Sequence, residues 1–426
     1  MLTLYKIIYN NLFIPLLRLF IDKNLKSKNI DRNLSINVLY QELSNINNEK
    51  KRIWFHASSM GEFEQAKPII EALKEIDSNL IIICTFFSPS GYENQKDYKY
   101  ADFTSYIIYD NKRKVEEFVE KIKPDIAIFV RYDLWINILN TLKINNIKTV
   151  LINATIPSVY FKPYYKLFTP FYQYVYQFFY EIYCFNANSL EFFKGLRLHS
   201  KLILSSDTRL DRISKVVNNI RNSKAEFEYL KSDKCLNLIV GSSWEYDENL
   251  IIEAVQQINR DKFKVRIIFV PHKPNKENVN RLKSQLGSSI LYSQLEAKKA
   301  SDINVIQNSH IIIDKIGILL KLYSIADIAY VGCGFGDGVH STAEPAGYGL
   351  PIISGPNIKK SPDAVELNKL GALMVINNVA ELVECINILI ENQSYYSNAS
   401  LQSFEYINKN IGSTEVITNR IIELIK

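Results

Sequence analysis

The stretch IWFHASSMGEFEQAKPIIEALK, residues 53–74, sets the grammar for the rest of the chain. Ile53 to Phe55 read as a short buried strand. From Phe63 on, apolar residues recur at helical spacing: Phe63, Ala66, Ile69, Ile70 and Leu73. Between strand and helix lies a polar bend, His56 to Glu62. Glu62, at the mouth of the helix, admits two readings. A carboxylate in a first helical turn is favoured by the helix dipole, with Ser58 or Ser59 as the cap. Alternatively it is a general base at a cleft, which requires a tuned pKa and a hydroxyl within reach.

The same alternation continues along the chain. Apolar β-branched runs (LIIICTFF, DIAIFVRYD, TVLINATI, then LNLIVGSSW, VRIIFVPHK, IADIAYVGCG) are separated by amphipathic helical stretches. Runs such as IIIC and IAIFV suit strands buried on both faces of a parallel sheet, and their alternation with helices indicates βαβ units. A charged stretch without strands, around residues 211–234, divides two such series. The expected organisation is an N-terminal segment over 1–30, a first Rossmann-like domain over 31–210 and a second over 211–426. In doubly wound α/β sheets ligands collect beyond the carboxyl ends of the strands.

Composition narrows the class. The 426 residues are 47% hydrophobic and 23% charged, a globular balance. A net charge of +6, spread along the chain, fits an acidic small molecule or an anionic membrane surface. No nucleic-acid motif is found, so no nucleic-acid partner is expected. The five cysteines lack zinc-ligand spacing and read as reduced thiols of a cytosolic protein. Residues 12–21 are strongly apolar, but Lys6, Asn10, Asn11, Pro15 and Arg18 interrupt the segment and no small-residue cleavage site follows. A span needs about 20 apolar residues, which this segment barely provides. Lys23, Lys26 and Lys28 follow as a cytoplasmic flank would. The expectation is an apolar N-terminal helix attached to a membrane; a core helix of the first domain is the alternative. The aromatic stretch 160–180 reads equally as a lipid-facing surface or an interior helix.

Several polar residues fall at strand ends. GSSWEYDE, residues 241–248, repeats the strand, small turn and acidic helix start, with Gly241 permitting close backbone approach to a ligand. His272 and Lys273 lie between prolines in VPHKP, held for anion binding or merely structural. Glycines 332, 334, 336 and 338 form a flexible loop, followed by HSTAEPAGYG with Glu344 in a first helical turn. The glycines do not follow the G-x-G-x-x-G fingerprint of dinucleotide sites. A helix start with a carboxylate instead suits ribose hydroxyls and phosphate.

In this order and spacing, HASSMGEFEQAKPII, GSSWEYDE, VPHKP, IGILLKLYSIADIAYVG and GVHSTAEPAGYGLPIISGPN resemble the 3-deoxy-D-manno-octulosonic acid (Kdo) transferases of Gram-negative lipopolysaccharide synthesis. The resemblance implies a GT-B fold, two Rossmann-like domains facing a central cleft, and an inverting, metal-independent transfer without a cofactor. CMP-Kdo would be the donor and a lipid A precursor the acceptor, at the cytoplasmic face of the inner membrane. Glu62 matches the family's general base and Arg209 its charge-stabilising basic residue. Donor contacts correspond to Ser243, to Pro271, His272 and Lys273, to Ile316, Gly317 and Ile318, and to His340, Ser341, Thr342, Ala343 and Glu344. Three departures stand out. Arg131 of VRYDLWIN replaces the first Glu of the family's ETELWPN, with Asp133 at the second. Ser341 replaces Asn. His272 replaces Arg, making its charge pH-dependent near neutrality. The competing expectations are another GT-B enzyme such as a sugar-nucleotide 2-epimerase, an altered donor or acceptor, or a non-enzymatic nucleotide-sugar-binding protein.

Overall fold

The computed structural model describes residues 9–17, 19, 31–46, 49–157, 160, 165–222, 226–260, 264–297, 306, 307 and 309–426. The chain divides into two compact units, Met1–Asp211 with Ile411–Lys426, and Arg212–Asn410.

Unit 1 is built on seven parallel strands: β1 Arg52–Ala57, β2 Ile81–Phe86, β3 Phe103–Tyr106, β4 Ile126–Val130, β5 Lys148–Ala154, β6 Glu181–Cys184 and β7 Lys201–Leu204. Their order is β3-β2-β1-β4-β5-β6-β7. Every residue of β1, β2 and β4 is buried, as their near-continuous apolar sequences require of strands covered on both faces. One face packs Trp54, Phe118, Phe129 and Leu139; the other packs Phe55, Phe63, Ile69, Leu73 and Ile128. After β1 the chain builds outward through β2 and β3, then crosses to β4 on the other side. The loops following β1 and β4 therefore diverge and leave a crevice at their carboxyl ends. Helix α1, Met60–Ile76, follows β1, and α2, Ile136–Ile144, follows β4.

Helix α3, Thr208–Arg221, carries the division between the units. Unit 2 repeats the plan with β8 Leu236–Ser243, β9 Val265–Pro271, β10 Ser289–Leu291, β11 His310–Ile312, β12 Ile328–Val331, β13 Ile352–Ser354 and β14 Leu373–Val375. The order is β10-β11-β9-β8-β12-β13-β14, again all parallel. Here the switch lies between β8 and β12. Helix α4, Glu245–Ile258, follows β8, and the short α5, Ala343–Gly347, follows the glycine loop after β12.

Both chain ends pack on unit 1. The last helix, α6, Ser413–Ile425, belongs in sequence to the second half, yet Ile417 and Ile421 join the core of α1. Its entry is fixed by Asp211, whose carboxylate accepts from the Thr414 N–H at 2.8 Å and the Thr414 hydroxyl at 2.6 Å. At the other end, most of the helix expected over 1–30 lies outside the described residues. What is described is a five-residue π-helical turn, Tyr9–Phe13, leading into helical residues 14–17. The Tyr9 hydroxyl donates to Asp110 at 2.6 Å, and both groups are buried. Among the described residues no helix is long and apolar enough to cross a membrane.

Candidate active site

The bend that follows β1 and the bend that follows β4 meet at the switch point of the first sheet. Ser59 caps α1, and the Glu62 carboxylate, one turn in, accepts from the Ser59 N–H at 2.9 Å and the Ser59 hydroxyl at 3.2 Å. This is the capping role that the sequence allows. Burial adds what a cap does not need: Glu62 is only 6% exposed and Asp133, from the β4 bend, 7%. Asp133 accepts from the Ser58 N–H at 3.0 Å and the Ser58 hydroxyl at 2.5 Å. Adjacent serines thus each hold one member of a carboxyl pair.

Burial, and then the neighbouring Glu62 charge, push the Asp133 pKa well above the usual carboxylate range. Burial also raises Glu62, but the Ser59 donors, the Arg131 guanidinium and the Ser58 N–H pull against it. Two such carboxyls retain a shared proton to higher pH than a lone one. The Ser59 donors and the Arg131 guanidinium favour the ionised form of Glu62. His56 beneath them is neutral, because complete burial drives its pKa down to about 3. Its Nε2 accepts from Trp135 Nε1 at 3.1 Å, so its proton sits on Nδ1, facing the Thr85 carbonyl and hydroxyl oxygens. The 3.7 Å approach of Asp133 to His56 Nε2 is therefore not an ion pair.

Arg131 occupies the position just before the pair. Its Nε donates to Gln65 Oε1 at 2.9 Å, and Gln65 Nε2 donates to Asp207 at 3.1 Å. Asp207 in turn accepts from Arg209 Nε at 2.8 Å and from the Arg209 N–H at 2.9 Å. Burial alone would raise Asp207, but the Arg209 guanidinium holds it below the usual carboxylate range. Glu62, Asp133 and Arg209 therefore share one unit, and much of the Arg209 charge faces Asp207. Gln65 and Asp207 escaped sequence reasoning, and Ser58, expected there only as an alternative cap, instead holds Asp133. Gln65 carried one signal, its place three residues after Glu62 on the same helical face; Asp207 carried only its closeness to Arg209.

In unit 2, Trp244, His272 and His340 form a stack at the ends of β8, β9 and the glycine loop. The Trp244 and His272 rings lie 5.0 Å apart and 22° from parallel; His272 and His340 lie 4.7 Å apart and 15° from parallel. Lys273 Nζ stands 5.2 Å from the Trp244 ring, a cation–π distance. Burial and then Lys273 lower the His272 pKa; burial and then His272 lower that of His340. Trp244, unnoticed in the sequence, is 40% exposed. Ser243 is buried, its hydroxyl donating to Glu248 at 2.7 Å. Pro271 closes β9, and the turn of Ile316, Gly317 and Ile318 precedes a short helix, with Ile316 80% exposed. Ser341 and Glu344 are half-buried, whereas Thr342 and Ala343 are buried at the start of α5.

Two glycine expectations change. A Cβ on Gly241 would stand 2.2 Å from the Tyr323 hydroxyl, so a protein side chain fills the space expected for a ligand. A Cβ on Gly334 would meet the Gly355 nitrogen at 2.5 Å. The glycines there allow two backbone segments to pack together rather than supplying flexibility. Asp247 adds a further tie, accepting from the Cys333 N–H and the Tyr330 hydroxyl, each at 2.9 Å.

A profile of the family described as 3-deoxy-D-manno-octulosonic-acid transferase (kdotransferase) matches residues 36–212. A bifunctional glycosyltransferase/methyltransferase of Fusobacterium nucleatum is 27% identical over 90% of this chain, which spans 59% of that protein's length. A 3-deoxy-D-manno-octulosonic acid transferase of Aquifex aeolicus is also 27% identical, over 81% of this chain and 88% of its own. In fold, the UDP-GlcNAc 2-epimerase of Neisseria meningitidis superposes with a TM-score of 0.60 at 12% identity, covering 87% of this chain and all of that one. That likeness bears on the fold alone, and the fold is GT-B. Over residues 36–212, and in relatives 27% identical along most of its length, this chain is similar to the 3-deoxy-D-manno-octulosonic acid transferases.

Proposed function

We propose that the protein transfers Kdo from CMP-Kdo to a hydroxyl of a lipid A precursor, lipid IVA, with inversion, and that Glu62 is the general base. The observation that carries this reading is the buried carboxyl pair at the switch point of the first sheet. Asp133 takes the Ser58 bonds, while the Ser59 donors and Arg131 favour the ionised form of Glu62 although it is nearly out of water. In the transfer Glu62 takes the acceptor hydroxyl proton as that oxygen bonds to the anomeric carbon of Kdo. The bond from that carbon to the CMP phosphate oxygen breaks on the opposite face, and CMP leaves with the electron pair. Unit 2 supplies the donor site in this reading, with Lys273 near the phosphate and Glu344 near the ribose. Fixed donors and cations at the leaving phosphate are the expected electrostatic catalysts.

A lipid acceptor brings the protein to a membrane. The apolar N-terminal segment, lying in the interface at the cytoplasmic face of the inner membrane of a Gram-negative cell, would provide the attachment. An altered donor or acceptor is the second reading, favoured by Arg131 in place of the family's acid and by His272 clamped between two rings.

The test uses protein in detergent, CMP-Kdo generated in situ and a tetraacyl lipid A precursor, with products read by mass spectrometry. The expected product is heavier by Kdo. Glu62→Gln should lower turnover by about 10²–10⁴-fold while retaining CMP binding. Transfer by Glu62→Gln at the unaltered rate would remove Glu62 as the base. Absence of product in both, with CMP bound, would transfer the case to the second reading.

A further inference from the structure

Unit 1 contains a cavity of about 520 Å³ at the same rim as the carboxyl pair. Its walls come from three separate places: Phe13 and Leu17 of the N-terminal segment, Phe87 and Trp135 from the loops after β2 and β4, and Phe171 and Tyr172 of the helix Tyr165–Tyr176. Asp133 is the charged residue among its described lining. The volume falls within the range of about 300–1,000 Å³ typical of small-ligand sites.

Three of the polar groups in the lining are already engaged. Tyr9 donates to Asp110, Trp135 donates to His56, and Asp133 accepts from Ser58. An occupant there gains by contributing apolar surface, not hydrogen bonds. Large apolar residues are also exposed at the lining, Phe13 at 50% and Phe168 at 40%, so the cavity is not sealed from the surface. Asp133, in its lining, is bonded to Ser58, the neighbour of the Ser59 that holds Glu62. A molecule whose hydroxyl reaches Glu62 thus has an apolar, aromatic-lined channel beside it.

We propose that this groove holds one fatty-acyl chain of the acceptor while the acceptor's sugar hydroxyl faces Glu62. The proposal rests on the lipid-acceptor reading above and assigns to it a specific subsite. It also resolves the two readings of the stretch 160–180. Val175 and Tyr176 are interior residues in the core, while Phe168, Phe171 and Tyr172 turn a lipid-compatible face into the groove. Each methylene withdrawn from water there is worth about fourfold in affinity.

Trp135 is a reporter built into the groove. Of the three tryptophans, Trp54 is fully buried in the core of unit 1 and Trp244 lies in unit 2. The full chain carrying Trp244→Phe is titrated with 9,10-dibromostearic acid, whose bromines quench tryptophan only at contact. Saturable quenching near one fatty acid per chain is expected, lost when Trp135→Phe is added. Leu17→Glu, which puts a charge into the groove, should weaken it at least tenfold; Phe171→Ala, which enlarges the groove, is the second variant and should also weaken it. Quenching that does not saturate, or that both variants leave unchanged, overturns the groove. In parallel, KM is measured for acceptors with progressively shortened acyl chains and should rise with each truncation. Normal transfer with one KM for all chain lengths, and no quenching, removes the groove and leaves the transfer reading standing. Saturable quenching without transfer to any acceptor does the reverse.

Discussion

Arg131 has φ 64°, in the left-handed region, where a side chain costs about 1–2 kcal/mol. That backbone turns the chain out of β4 so that Asp133, two residues on, reaches Ser58. It also aims the guanidinium at Gln65, on the same helix as Glu62. An acid at this position would add a third carboxylate to a pair that is already short of solvent. The guanidinium instead opposes the effect of burial on Glu62. A base works only when ionised, so activity falls as pH drops through its pKa, and raising that pKa moves the acidic limb of the rate profile upward. Removing an opposite charge at short range typically shifts a carboxyl by about 1–3 units. Arg131→Gln should therefore move the acidic limb of kcat/KM up by about one unit, and Arg131→Glu should move it further. A limb that stays in place for both would show that Arg131 does not act on the base.

At the level of elements, the last helix carries the clearest consequence. Ile421 is 1% exposed and packs in the core with α1, the helix that holds Glu62. Ile421→Ala should cost about 2–5 kcal/mol, the usual range for emptying such a site. The loss should fall on unit 1: amide exchange should quicken in β1 and α1 and stay unchanged in β8 and β12. Equal quickening in both units would contradict the packing. This placement was not legible in the sequence, because an amphipathic helix shows the same periodicity whichever sheet it covers. The central strands of both sheets were legible, because burial on both faces forces near-continuous apolar runs such as IAIFV; the half-exposed three-residue β10 was not. Glu62 was legible as a polar residue just past a strand end, Asp133 only through the resemblance to the ETELWPN motif. The Gln65–Asp207 link was not, since its partners are 142 residues apart and each is an ordinary surface type on its own. Trp244 was passed over because a large apolar residue after a strand usually signals core.

Across the whole molecule, each unit holds one histidine kept neutral, His56 fully buried and His310 half-buried. His56 Nε2 accepts from Trp135, and His310 Nδ1 accepts from the Ile267 N–H at 3.0 Å, tying β11 to β9. Burial lowers His56 to about 3, and burial with the Arg266 charge lowers His310 to about 4. Depressed folded-state values mean stability that is present above the unfolded pKa of about 6.5 and lost as pH falls. At pH 4.5 each histidine removes about 3 kcal/mol relative to pH 7, at 1.36 kcal/mol per unit. Unit 1 also holds Asp110, which burial raises to about 6 against the donors Tyr9, Asn137 and Ile138. A raised carboxyl has the opposite sign: its contribution is complete below about 3.8, and is lost as pH rises through 6. Acidification to pH 4.5 therefore returns about 2 kcal/mol to unit 1. Asp133 of unit 1 and Asp247 of unit 2, also raised by burial, act in the same sense as Asp110, so each group is read from its own variant against the unaltered chain. Amide exchange in β1 and β8 is measured at both pH values, corrected for intrinsic rates, in the unaltered chain and in each variant. His310→Gln should flatten the loss in unit 2. Asp110→Asn should deepen the loss in unit 1 by about 2 kcal/mol, and a loss in unit 1 that is the same with and without Asp110 would refute the assignment.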